Sequence, residues 1–246
     1  MALWRQRGPL WSLLPAPGSG DRGLVEFIGG SYLAATPQLS YRRLLEALAA
    51  RGCRILAWSY VPGFDHQSQA NEAWRAFRAA RASEPASGDR LQRLRLGHSL
   101  GCKLHLLAPD GGRGCDGLVA LSFNNFSAER SVPLLAEMGQ QFGFRSEFSP
   151  SPRQTLRQVS ETYRQPRNLL VRFRRDGLDE SGPLLAALQA RPGDASELLE
   201  LPGDHLTPAS AGVRRQLLGD WADDPARQRQ IERLAETVLA WSRTGA

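Results

Sequence analysis

Gly97-His98-Ser99-Leu100-Gly101 places a serine between two glycines, after a run that reads as a strand, Arg90 to Leu96, and before one that reads as a helix, Cys102 to Ala108. On so tight a strand-to-helix turn the serine hydroxyl is pushed clear of the backbone over a helix N-terminus, and the glycines remove Cβ atoms that would clash. Ser99 is therefore the candidate nucleophile. The bland alternative is an ordinary Gly/Ser turn, because the pattern also occurs by chance.

A serine needs a base to take its proton and an acid to orient that base, and the order Ser, Asp, His is one that such triads take along a chain. This chain offers it. Of its four histidines, His205 lies in Pro202-Gly203-Asp204-His205-Leu206-Thr207-Pro208, a short loop after the strand-like run Glu197 to Leu201, where an imidazole could swing over Ser99. His98 occupies the variable position of the serine turn and reads as a packing or supporting group. His105 reads as a surface or core helix residue, and His66, after Phe64-Asp65, either faces the mouth of the site or caps a turn.

Two carboxylates compete for the acid. Asp176 lies just past the strand-like run Asn168 to Phe173, the favoured spacing, while Asp179 with Glu180 reads as the cap and first turn of a helix over Ser181 to Ala190. Asp204 reads as a turn residue. For the oxyanion, the amide after the nucleophile, Leu100, is one donor, and the loop Gly29-Gly30-Ser31 after an early strand, Gly23 to Ile28, supplies a second at Ser31 or Gly30. The alternative is a glycine turn needed only for chain reversal.

The elements that must carry these residues alternate: strand Gly23–Ile28, helix Tyr41–Arg51, strand Cys53–Ser59, helix Gln67–Ala82, the serine strand and its helix, strand Gly117–Phe123, the two later strands and a final helix Pro225–Ser242. Leu44, Leu45, Leu48 and Ala49 form a helical stripe suited to packing on a sheet. Such alternation predicts an α/β fold with a mostly parallel, doubly wound sheet, whose sites form at the carboxyl ends of strands. With 246 residues and 41% hydrophobic content, the chain suits one domain spanning 1–246. No internal repeat is visible.

Residues 124–166 interrupt the alternation with a long stretch rich in Phe, Ser, Pro and Gln, and a connection of that length is usually functional. Phe126, Leu134, Leu135, Met138, Phe142, Phe144 and Phe148 could line an apolar acyl pocket or form a small satellite core. Asn124 and Asn125, directly after a strand, could bind substrate or end the strand.

The net charge is +6, yet Lys103 is the only lysine among 31 basic residues, and the arginines are scattered without aromatic platforms, which argues against nucleic acid as a partner. Trp4, Arg5, Arg7 and Trp11 could bring a basic N-terminus against an anionic membrane surface, though without the apolar length of a signal or spanning helix. Cys53, Cys102 and Cys115 fall in core-like segments with no metal-ligand spacing, pointing to reduced thiols and a cytoplasmic setting. Nothing fixes an oligomeric state.

Phe27-Ile28-Gly29-Gly30-Ser31-Tyr32, Thr36-Pro37-Gln38-Leu39-Ser40-Tyr41-Arg42, Phe64-Asp65-His66, Gly97-His98-Ser99-Leu100-Gly101, Phe123-Asn124-Asn125-Phe126, Glu147-Phe148-Ser149-Pro150-Ser151-Pro152 and His205-Leu206-Thr207-Pro208, in this order over nearly the whole chain, resemble the α/β-hydrolase-like family called domain of unknown function 1350, found in cyanobacteria and plant plastids. The resemblance implies an α/β-hydrolase fold, in which 124–166 falls between the sixth and seventh core strands, where caps are inserted. It supplies no substrate. Together the residues lead to the expectation of a serine hydrolase acting on an ester or thioester of a small or lipid-like acyl compound, without metal or organic cofactor. The alternatives are a silent binding or scaffold protein of the same fold, or an acyltransferase using the same three residues.

Overall fold

The computed structural model describes residues 3–83, 91–131, 147–209 and 225–244. Eight strands form one sheet: β1 (Arg5–Arg7), β2 (Leu10–Leu13), β3 (Gly23–Ile28), β4 (Cys53–Trp58), β5 (Gln92–His98), β6 (Gly117–Leu121), β7 (Asn168–Phe173) and β8 (Glu197–Leu201), in the order β1-β2-β4-β3-β5-β6-β7-β8. From β4 to β8 all neighbours are parallel. The central strands are buried on both faces, which is why they read as continuous apolar runs rather than alternating ones.

Alternation decides which face each side chain serves. Val25 and Phe27 of β3 join the core beneath α2 (Arg42–Ala50) and the final helix α8 (Pro225–Arg243), while Leu24 and Ile28 point to the opposite face. That second face is covered by α3 (His66–Ala82), α4 (Leu100–Leu106), α6 (Pro152–Thr162) and α7 (Ser181–Gln189). Two single turns of helix, α1 (Pro37–Ser40) and α5 (Ala128–Ser131), complete the described elements. On the α3 side Glu26 sits in the middle of β3 facing Arg81 and Arg95, and the buried Arg95 guanidinium grips both oxygens of Asp110, so the charges below the sheet are matched.

Two features differ from the expectation. The N-terminal segment is a hairpin, β1 and β2, turned at Gly8-Pro9 and paired antiparallel onto β4; Trp11 packs against the core and Trp4 Nε1 donates to Glu46. The 124–166 stretch is not one long loop, because Ser151 opens α6 with a reciprocal capping box to Gln154, and Val159 and Tyr163 are buried in the core beside α7. Of the proposed acyl-pocket residues, Leu134, Leu135, Met138, Phe142 and Phe144 lie outside the described residues, as does Arg90 at the expected start of the serine strand.

Candidate active site

β5 ends at His98 and α4 begins at Leu100, so Ser99 alone makes the turn, with φ 53° and ψ −122°. A non-glycine residue rarely holds this conformation, and here three features impose it. The Ser99 N–H donates to the Leu121 carbonyl of β6 at 2.9 Å. A Cβ on Gly97 would lie 2.6 Å from Cys102 Cα, and one on Gly101 would drive into the Ile28 carbonyl. The two glycines thus let the helix start directly against β3 and β5.

His205 Nε2 lies 3.1 Å from Ser99 Oγ, and its Nδ1 lies 3.0 and 2.9 Å from the two oxygens of Asp176. The carboxylate can only accept, so the ring proton sits on Nδ1 and the Nε2 lone pair faces the serine hydroxyl. Burial raises the Asp176 carboxyl, but the His205 bond, the nearby Ser122 hydroxyl and the Leu178 N–H together hold it below its ordinary range, so it is ionised at neutral pH. Strand ends β5, β7 and β8, widely separated in sequence, thereby converge on one point. Asp179 does not join them: its oxygens accept from Ser181 N–H and O–H at the start of α7. Asp204 Oδ1 accepts from the Leu206 N–H within its own turn.

The two loops considered for oxyanion binding also meet here. Leu100 is the first residue of α4, so its N–H has no carbonyl a turn earlier in the helix. The Gly30 N–H, by contrast, donates to Tyr41 Oη at 2.8 Å and is therefore already engaged. Ser31, the other residue of that pair, opens the short 3-10 turn Ser31–Leu33.

The remaining candidates hold loops together. Asn124 Nδ2 donates to the Leu178 carbonyl, the Asn125 N–H to Glu180 and Asn125 Nδ2 to the Pro152 carbonyl, so both asparagines tie the end of β6 to the acid loop and to α6. Phe126 is buried beneath the Arg130 guanidinium. His66 is buried, stacks on Phe148 at 4.2 Å and leaves Nδ1 without a hydrogen-bond partner. The single lysine, Lys103, is buried beside Phe148 and donates to the Pro150 carbonyl; burial lowers it to about 8. His105 is a core residue. The three cysteines are buried and free. Among the described residues no three His, Cys, Asp or Glu side chains gather as metal ligands, and no helix is long and apolar enough to cross a membrane.

Sequence reasoning missed Tyr41, Tyr60 and Ser122. Tyr41 stood inside a recognised motif, Ser40-Tyr41-Arg42, but nothing in one dimension says that its hydroxyl reaches the serine turn. Ser122, directly after β6, has a positive φ of 50°, as Ser99 has directly after β5.

A family model described as protein of unknown function (DUF1350) matches residues 4–242. The chain belongs to the DUF1350 family. No curated protein matches it in sequence. Among solved structures it is similar to an α/β serine hydrolase without lid from Xanthomonas campestris, at 13% identity with a TM-score of 0.58, covering 99% of this chain and 94% of that one. The esterase domain of a Rhodothermus marinus protein gives 16% and 0.59, covering 99% and 98%. A thioesterase domain from the curacin biosynthetic pathway gives 12% and 0.56, covering 98% and 99%. At these identities the likeness establishes the fold: this DUF1350 chain has the α/β-hydrolase fold, its parallel sheet extended by the antiparallel hairpin described above.

Proposed function

We propose that this DUF1350 protein is a serine hydrolase that cleaves an ester or thioester of a small or lipid-like acyl compound. The observation that carries the reading is the continuous contact from Ser99 Oγ to His205 Nε2 and from His205 Nδ1 to Asp176, with Ser99 held at φ 53°. In this reading His205 takes the Ser99 proton as Oγ forms a bond to the substrate carbonyl carbon. The Leu100 and Ser31 amides receive the negative charge that develops on the carbonyl oxygen. Collapse breaks the bond to the alcohol or thiol, which leaves with the proton from His205. Water, deprotonated by the same ring, then frees the acid and returns the proton to Ser99. Asp176 stays ionised throughout and stabilises the imidazolium. The esterase and thioesterase names of the structural neighbours support the substrate class by analogy of fold.

The experiment is covalent labelling of the purified protein with a fluorophosphonate probe, with the adduct mapped by mass spectrometry. The expected result is labelling at Ser99, lost in Ser99→Ala and in His205→Ala. A folded wild type that resists the probe would overturn the reading in favour of a binding protein. Labelling then justifies p-nitrophenyl ester and acyl-thioester panels of graded chain length, with alcohol acceptors added to separate hydrolysis from acyl transfer.

A further inference from the structure

The loop after β3 is held by two tyrosines through a single peptide group. The Gly29 carbonyl accepts from Tyr60 Oη at 3.0 Å, and the Gly30 N–H of the same peptide donates to Tyr41 Oη at 2.8 Å. The next carbonyl, Gly30, accepts from the Leu33 N–H. Both tyrosines are buried. Tyr60 stacks on Trp58 at 4.5 Å, and Tyr41 packs edge-on against Phe27 at 4.7 Å, so neither ring is free to turn.

The Tyr41 hydroxyl, having accepted from Gly30, has one proton to give, and it faces His98 Nδ1 at 2.8 Å. His98 Nε2 in turn lies 2.8 Å from the His205 carbonyl, which can only accept. Every proton in the chain is then assigned: Gly30 N–H to Tyr41, Tyr41 O–H to His98 Nδ1, His98 Nε2–H to His205. Burial, with the His205 ring nearby, lowers His98 to about 3, so it stays neutral and keeps this tautomer. The connection spans the sheet, because β5, β6 and β7 stand between β3 and β8. The loop is also seated against the turn it serves: a Cβ on Gly30 would lie 3.0 Å from Ser99 Cβ and 3.1 Å from His98 Nδ1.

We propose that Tyr41, Tyr60 and His98 are positioning residues that lock the Gly29–Gly30 peptide and the His205 loop into one unit, which leaves the Ser31 N–H as the loop's oxyanion donor. The proposal rests on the serine hydrolase reading. Oxyanion donors contribute most when they are fixed before charge develops, and a base contributes only when its ring is held to the nucleophile. Here one hydrogen-bonded chain fixes both, and it uses the variable residue of the Gly97–Gly101 turn to do so.

The test uses the full chain with 15N-labelled histidines and the fluorophosphonate rate at Ser99, both read below the melting transition. Wild type is expected to report His98 as the Nε2–H tautomer. Tyr41→Phe removes the donor to His98 Nδ1 but leaves the His205 carbonyl as acceptor, so it should keep the Nε2–H tautomer, shift the His98 Nδ1 resonance, move the His205 ring resonances and slow labelling by roughly tenfold to a hundredfold, less than deletion of a donor outright. Tyr60→Phe, which frees the loop but not the histidine, should slow labelling and leave the His205 resonances in place. If Tyr41→Phe does not fold, His98→Gln takes its place: it keeps an N–H for the His205 carbonyl and should label at an intermediate rate. Wild-type labelling in a folded Tyr41→Phe or His98→Gln, or unmoved His205 resonances in either, would overturn the proposal. A wild type that does not label removes the hydrolase reading instead, and the resonances then decide alone: movement upholds the coupling, and no movement ends it.

Discussion

Asp176 and Asp179 lie three residues apart and serve different partners: Asp176 faces His205 Nδ1 with both oxygens, whereas Asp179 accepts from Ser181 N–H and O–H. The loop between β7 and α7 thus separates a carboxylate that meets the imidazole from one that meets the start of α7. Asp176→Asn keeps the shape but offers His205 Nδ1 a carbonyl or an amide donor, destabilising both the tautomer and the imidazolium. By analogy with serine proteases, turnover should fall by about ten-thousandfold. Asp179→Ala should keep its labelling rate and cost about 1 kcal/mol of stability through the lost start of α7. Labelling rates and urea denaturation of the two variants check both statements, and the reverse pattern would exchange the roles.

Ser99 stores backbone strain that glycine would not. Ser99→Ala keeps a Cβ at φ 53° and should match the wild type in stability while losing all labelling. Ser99→Gly should also be inactive, yet be more stable than Ser99→Ala by about 1 kcal/mol, the relief of strain less the greater entropy of the unfolded glycine chain. Equal denaturation midpoints for the two variants would show that the turn is unstrained.

Acid should unfold this protein through its histidines. Burial lowers His98 and His66 to about 3, and holds His105 well below its ordinary value, each from 6.5. Between pH 6.5 and about 3 the unfolded chain therefore binds protons that the folded chain refuses, so stability falls as pH falls through this window. Each histidine contributes up to about 1.4 kcal/mol per pH unit. The depressed Asp176 carboxyl adds its own loss only below the ordinary carboxylate range, where the unfolded chain again takes up the proton first. Denaturation free energies measured at half-unit steps from pH 7 to 4.5 should show an uptake approaching three protons, and a flat profile would contradict the burial of these rings.

The Arg95 guanidinium, 2% exposed, lies against both oxygens of Asp110. Asp110→Ala leaves that charge buried with Glu26, itself shared with Arg81, as its one carboxylate partner among the described residues. The expected cost is about 3–5 kcal/mol. Arg95→Met with Asp110→Ala should recover part of it, and thermal denaturation of the single and double variants measures the difference.

Most of the sheet was legible because its strands are short apolar runs bounded by Gly, Pro and Asp, and its helices carry one-sided stripes; Asn168–Phe173 and Glu197–Leu201 coincide with the expected strands. The hairpin at Gly8-Pro9 was not, because two strands of three and four residues carry too little periodicity to register against a basic, aromatic background. Helix α6 had a readable signal in Ser151 and Gln154, masked by the Phe- and Pro-rich stretch that precedes it.

The sequence by itself determined the chemistry available: a serine between glycines, a histidine and an aspartate each just past a strand, in a workable order, together with the family to which the chain belongs. Local pattern suffices there, because the serine turn and the strand ends are set by residues close in the chain. Tertiary structure alone decided that Asp176 rather than Asp179 meets His205, that the Gly30 N–H is spent on Tyr41, and that His98 reaches the His205 carbonyl, 107 positions away in the chain. Those are choices between polar groups of equal local merit. Each is settled by which partner the packed sheet brings within 3 Å, where a buried donor or acceptor left alone would cost free energy.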